Sequence, residues 1–188
     1  MQRISKEQSK DAPDIILNWG CGHAKSAKWI NLDTNHSVGP DFTDSIILFP
    51  WDWESDSVDK IILNHVIEHV SKPLHAPIFL EANRVLKMGG EFFIAYPDFI
   101  KCAQEFIKNE NSTREFWEWT IYGRQSSGGD FHVCAITEDY LIGKLLDCGF
   151  EKIKIEEDPR TPQYTSGLFR KFRDVISYEK AQAAQWRY

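Results

Sequence analysis

Two groups of residues combine types and spacings that could do chemistry. The first is Asn18-Trp19-Gly20-Cys21-Gly22, which closes the short apolar run beginning at Ile15. Eleven positions after Gly22, a second run, Trp29-Ile30-Asn31-Leu32, ends on Asp33. Glycines just past a strand let backbone approach a ligand and accept positive φ. A carboxylate at the end of the next strand can accept hydrogen bonds from both hydroxyls of a ribose. Together they predict a nucleoside cradle, the plainer alternative being a tight turn beside a surface Asp.

The second group is His65-Val66-Ile67-Glu68-His69. On a helix, His65 and His69 at i and i+4 would share a face, a spacing used by one class of zinc peptidases, with Glu138 as an imaginable third ligand. The motif starts at a strand end, however, and a zinc site would leave the glycine loop, Asp33 and Asp44 unexplained. The reading adopted therefore assigns no metal, and gives Glu68 the role of capping and orienting the loop into the next helix. His132, in Gly-Gly-Asp-Phe-His, follows a glycine-rich loop. A general base needs a pKa near neutrality, which makes His132 the first candidate and His69 the second, against an anchoring role for His132.

Elements must hold these residues in place. Short apolar runs at Ile15–Leu17, Trp29–Leu32, Ile46–Phe49 (the weakest), Val58–Leu63 and Glu91–Ala95 read as strands. Pro73–Leu86 carries Ile78, Phe79, Ala82, Val85 and Leu86 at helical spacing and is followed by Lys87-Met88-Gly89-Gly90, a stop signal. Strands alternating with helices predict a parallel sheet whose ligands sit at the strands' carboxyl ends. Residues 100–122 read as a helical insertion interrupted at 109–113, followed by a glycine-rich loop. Thr137–Cys148 opens on a capping signature and forms a helix, and 150–157 alternates as a strand. After a Pro-containing loop, 173–180 is predicted to pair antiparallel with it at the sheet edge.

Composition narrows the function classes. With 188 residues and 42% hydrophobic content, one domain spanning 1–188 is expected, with 1–13 a polar lead-in and 100–131 lying near an acceptor site. A net charge of -6 disfavours a sequence-independent grip on nucleic acid. The four cysteines lack CxxC pairing, no signal-peptide pattern opens the chain and no apolar run could span a bilayer, so a reducing, cytoplasmic setting without membrane contact is expected. Cys21 reads as a small filler of its turn. The aromatic cluster Phe116, Trp117, Trp119 and Tyr122 reads as packing, with ring stacking on an acceptor as its rival. Arg160, Arg170, Lys171 and Arg173 form a basic stretch whose default is a solvated face.

In order and spacing, LNWGCG, INLD, TDSIILFPW, DSVDKIILNHVIEHV, RVLKMGGEFFIAYPD and LLDCGF resemble the class I S-adenosylmethionine-dependent methyltransferases, in particular the small type-11-like branch. The resemblance covers roughly residues 15–100 and 130–155. It implies an α/β, Rossmann-like fold with a seven-stranded, mostly parallel sheet and an antiparallel edge strand. It also implies S-adenosyl-L-methionine as cofactor, with its amino-acid end near Asn18, Gly20, Cys21 and Gly22 and its ribose on Asp33, beside Thr34. Asp44 then takes the adenine amino group and Ser45 offers its N–H to the ring. Asn64 and His65 close the fourth strand against the methionine ammonium.

Two departures stand out. Asn18 replaces the family's usual acid, and the interval from Gly22 to Asp33 leaves room only for a shortened first helix. The reading is a methyltransferase acting on a small-molecule or sugar-like acceptor and directed to oxygen, since a hydroxyl suits the histidine base. The alternatives are a catalytically silent cofactor-binding module and the zinc hydrolase.

Overall fold

The structure is a computed structural model and describes residues 13–108, 114–126, 129–158 and 161–174. Seven strands form one sheet in the order β3-β2-β1-β4-β5-β7-β6. β1 (Ile16–Trp19), β2 (Ile30–Asp33), β3 (Phe42–Thr43), β4 (Val58–Asn64) and β5 (Leu86–Pro97) pair parallel. β7 (Thr161–Lys171) is antiparallel to both β5 and β6 (Phe150–Asp158), so the mostly parallel, Rossmann-like sheet closes at one edge in antiparallel pairing. Strand order reverses between β1 and β4, which puts a ligand crevice at the carboxyl ends of those two strands.

One face of the sheet is packed by two helices. α1 (His75–Val85) buries Ile78, Phe79, Ala82 and Val85, the residues whose spacing predicted it. α4 (Glu138–Asp147) buries Leu141 and Leu145, and its predicted cap forms, with Thr137 Oγ1 accepting from the Tyr140 N–H. Phe79 meets Phe92 edge-on at 6.0 Å, and Phe92 lies 5.3 Å from Phe150. Truncating one of these rings to Ala would cost about 3–5 kcal/mol. α2 (Phe99–Lys108) and α3 (Arg114–Tyr122) follow β5; the interruption predicted at 109–113 lies outside the described residues.

The structure corrects three local expectations. Residues 46–49 form a turn, and the strand of that region is the two-residue β3 just before it: the Asp44 N–H still reaches across to the Asp33 carbonyl of β2, whereas the Leu48 N–H turns back onto the Ser45 carbonyl. The supposed loop before 173 is β7: breakers Pro162 and Gly167 hid an alternation in which Thr165, Gly167, Phe169 and Lys171 are buried. Gly167 is required there, since a Cβ would come 2.5 Å from the Phe169 ring. Most of the 173–180 strand lies outside the described residues. Finally, Lys87–Gly90 sits inside β5 as an irregularity, with Val58 opposite Leu86 and Lys60 opposite Glu91.

No helix forms between Gly22 and Ile30, as the short interval predicts. Side chains satisfy the backbone that a helix would have satisfied. Asn31 accepts from the Ser26 N–H and donates to the Ser26 and Trp29 carbonyls. Asp41 accepts from both the backbone and the side chain of Asn31, which hold its carboxyl below the usual range, the backbone N–H most strongly. Lys25 Nζ donates to the Val38 and Gly39 carbonyls across the same connection.

Candidate active site

The carboxyl ends of β1, β2 and β4 and the turn after β3 open on a cavity of about 570 Å³. Its lining includes Gly20, Asp33, Thr34, Asp44, Ser45, His65 and His69, with Trp19, Val66, Phe131 and Val133. Asp33 is held at both oxygens: the Gly22 N–H donates to Oδ2 and the Asn35 N–H to Oδ1, each at 2.8 Å. A carboxylate has about four acceptor positions, so both oxygens keep capacity for hydroxyl donors from the cavity. Gly20 has φ +66 and a Cβ there would lie 2.4 Å from Val66 Cγ2, so glycine alone fits against the turn after β4.

A volume within the range of small-molecule pockets, an oriented carboxylate and a glycine wall fit a nucleoside cofactor. The adenine end differs in detail from expectation. The Ser45 N–H, expected to face a ring, donates to Asp44 Oδ1 at 2.7 Å, so one Asp44 oxygen is already engaged.

Four expected cofactor residues face elsewhere. Asn18, Cys21, Gly22 and Asn64 line a second hollow of about 630 Å³ with Ile16, Trp29, Ile62 and Phe93, and Gly20 borders both spaces. Asn18 is buried and spends its amide hydrogens on the Ala24 carbonyl and Asn31 Oδ1. It therefore braces the helix-free connection. Cys21 is buried, and desolvation, followed by the Asp33 charge, pushes its thiol up, which suits the filler role.

The His-x-x-Glu-His segment takes a different shape from the helix the zinc-peptidase spacing needs. His65 is at φ +56 and Ile67–His69 is a 3₁₀ turn, so no α-helical face presents His65 and His69 together. His65 Nδ1 instead meets Glu68 Oε1 at 3.0 Å. Glu68 makes no cap; it is buried, and among the described residues its Oε2 has no hydrogen-bond partner. That overturns the capping role expected for it.

His132 does not line the large cavity; it lies behind His69, the two rings meeting edge-on at 4.8 Å between centroids. His69 Nδ1 lies 3.0 Å from the Phe131 carbonyl, and His132 Nδ1 lies 3.0 Å from that of Thr120. A carbonyl only accepts, so each Nδ1 carries the hydrogen and each Nε2 keeps a free lone pair. Burial, the largest influence, holds the His132 pKa below its ordinary value. The Val133 N–H donates to the Glu68 carbonyl at 2.9 Å and clamps this loop onto the turn after β4.

The flanking features divide. Trp117 is buried whereas Phe116, Trp119 and Tyr122 are exposed, so packing accounts for one ring of the cluster. Lys171 leaves the basic stretch altogether: it is buried and donates to Asp56 Oδ1 and the Leu86 carbonyl. Arg160 lies outside the described residues.

Residues 48–94, spanning β4, α1 and much of β5, match the family model described as a methyltransferase domain. Over that segment the chain is similar to the methyltransferase-domain family. The chain shares its fold with an S-adenosylmethionine-dependent methyltransferase from Archaeoglobus fulgidus (14% identity, 84% of this chain and 86% of that one, TM-score 0.61). One from Methanosarcina mazei is similar at 17% identity over 86% and 94% of the two chains, with a TM-score of 0.57. A third is the Burkholderia thailandensis 1,6-didemethyltoxoflavin-N1-methyltransferase with bound 1,6-didemethyltoxoflavin and S-adenosylhomocysteine (11%, 86% and 72%, TM-score 0.56). No curated protein matches the chain by sequence. No helix among the described residues is long and apolar enough to cross a membrane.

Sequence reading missed the walls of the cavity, Val66 and Phe131 above all, because an apolar residue beside a turn carries no local mark of what it faces. It also missed the unpaired oxygen of Glu68, for which a buried acid in an apolar segment was the available signal.

Proposed function

We propose that the protein is an S-adenosylmethionine-dependent methyltransferase that moves a methyl group to a hydroxyl oxygen of a small-molecule or sugar-like acceptor. S-adenosylmethionine supplies the methyl group, activated on a sulfonium. Asp33, with Thr34 beside it, would hold the ribose, and the free oxygen of Asp44 the adenine amino group. Gly20, with Cys21 and Gly22 in its turn, and the backbone of Asn64 and His65 would border the amino-acid end. Cys21, Gly22 and Asn64 act from behind the wall formed by Gly20.

The observation that carries the reading is the polarity of one cavity: carboxylates at one end, imidazoles at the other. In-line methyl transfer depends mostly on position, and a hydroxyl acceptor gains further from a base of near-neutral pKa. His69, with its Nε2 free and its ring on the cavity wall, is the group placed to take the hydroxyl proton, and His132 orients it from behind. The loop carrying Phe131 and Val133, in the segment 100–131 and just beyond, forms the acceptor side. Four free cysteines, three of them buried, suit the reducing cytoplasm proposed for it.

Calorimetric titration with S-adenosylhomocysteine tests the cofactor half. Binding that weakens in both Asp33→Ala and Asp44→Ala supports it, and unchanged binding in both removes it. A screen of hydroxyl acceptors with methyl-labelled cofactor tests the other half; label appearing only on nitrogen or carbon overturns the oxygen assignment. Cofactor binding without turnover of any acceptor would favour the silent module.

A further inference from the structure

We propose that Glu68, His69 and His132 form a site for a divalent first-row transition cation at the acceptor end of the cavity. Its catalytic use rests on the oxygen-methyltransfer reading above; the site itself rests on geometry. One carboxylate oxygen of Glu68 and one ring nitrogen from each histidine lie within 4.8 Å of one another, a cluster with ligand chemistry among the described residues. Ligands about 2.0–2.2 Å from a cation stand roughly 3–4 Å apart, so the three need to close by about 1 Å on loading.

Three independent features point to an ion. Each histidine anchors its Nδ1–H on a backbone carbonyl, Phe131 for His69 and Thr120 for His132, the outer-shell arrangement that orients an imidazole and frees Nε2 to ligate. Glu68 is 1% exposed and its Oε2 has no partner among the described residues, a costly condition for a buried carboxylate that a cation would relieve. Its other oxygen meets His65 Nδ1, which makes His65 a positioning residue for the ligand. Lastly, the Val133 N–H to Glu68 carbonyl bond ties the two ligand-bearing segments together before any ion arrives.

Two imidazoles and one carboxylate suit Zn²⁺, Co²⁺, Mn²⁺ or Fe²⁺ better than Mg²⁺ or Ca²⁺, which prefer oxygen throughout. Three protein ligands leave a position open, and His69 puts it on the cavity wall. An acceptor hydroxyl bound there loses its proton to solvent, because the cation lowers its pKa. The oxygen lone pair then forms a bond to the methyl carbon, the methyl–sulfur bond breaks, and its electron pair stays on sulfur as a neutral thioether. In this form His69 holds the cation and accepts no proton.

The full-length protein, stripped with EDTA and desalted, would be titrated with Co²⁺ and Zn²⁺ by calorimetry and by Co²⁺ visible absorption. One ion per chain is expected, with His69→Asn and His132→Asn each losing more than the roughly 10–100-fold that removal of an outer-shell partner costs. His65→Gln is expected within that smaller range. S-adenosylhomocysteine titration of the same samples reports on the cofactor site separately. Absence of stoichiometric binding by wild type that still binds S-adenosylhomocysteine, or equal ion affinity in both Asn variants, overturns the cation site and leaves the base reading of His69 standing. Stoichiometric ion binding without S-adenosylhomocysteine binding supports the site and removes the methyltransfer use of it. Turnover at the full rate in EDTA overturns the catalytic use.

Discussion

Two hollows of similar size meet at Gly20, about 570 Å³ on one side and about 630 Å³ on the other, and only their chemistry separates them. The first gathers the carboxylates of Asp33 and Asp44 and the imidazoles of His65 and His69, and His69 keeps Nε2 open with its Nδ1 on the Phe131 carbonyl. The second is lined by Ile16, Ile62 and Phe93 and by Asn18, whose amide hydrogens are consumed by the β1–β2 connection. It exists because that connection contains no helix to cover β1 and β4. Volume thus identifies neither as a site; unspent donors and acceptors do.

Gly20, shared by both, gives the largest expected effect. Gly20→Ala would force a Cβ against Val66 at φ +66, and we expect loss of measurable S-adenosylhomocysteine binding with about 1–3 kcal/mol less stability. Thermal denaturation and calorimetry check both. Retained affinity would mean that ligand does not depend on this wall.

Asp33→Asn addresses the cavity alone. Weakening one charge-assisted hydrogen bond, worth about 1.5–3 kcal/mol, should raise the dissociation constant by roughly 10–100-fold. Phe93→Ser in the other hollow should leave it within about twofold. The reverse pattern would move the nucleoside to the helix-free side.

A pH experiment sharpens the contrast in a different way. His75 is buried against Val70, a residue of the cavity lining, donating from Nε2 to its carbonyl with Nδ1 against the Tyr140 hydroxyl, and burial above all lowers its pKa from the ordinary 6.5. The unfolded chain then binds a proton that the folded one resists. Stability is therefore full above the unfolded pKa and falls as pH drops through 6.5 towards the lower folded value. The melting temperature should decline over that window, and His75→Gln should flatten the decline; an unchanged slope would exonerate His75.

The smallest effect belongs to the mouth of the helix-free hollow, where Lys60 and Glu91 pair at 2.8 Å while each is about one-third exposed. Lys60→Gln should change stability by about 0–1 kcal/mol in urea titration. A larger loss would mean that this face is more tightly built than its open lining suggests.

The sequence carried most of the Asp33 end of the cavity because its parts are local. A glycine turn, a strand-terminal acid and a short interval each impose backbone consequences within a few residues, so Gly20, Asp33 and the absent helix were legible. β7 was not. Gly167 and Pro162 look like breakers in isolation, yet Gly167 packs against Phe169 and pairs with Ile94 and Ile155, and the strand it completes takes in position 162. The direction of a side chain was similarly hidden: Asn18 and Gly22 adjoin Gly20 in sequence yet face the other hollow.

Glu68, His69 and His132 mark the boundary between the two kinds of information. Composition and spacing alone determined an α/β sheet with chemistry at its carboxyl ends, since period and turn residues act over short stretches of chain. Tertiary structure alone brought His132 behind His69, fixed both tautomers on backbone carbonyls, and buried Glu68 with one oxygen unspent. Those facts depend on where distant backbone falls, and no local pattern encodes the distance between two loops that meet only after the sheet has formed.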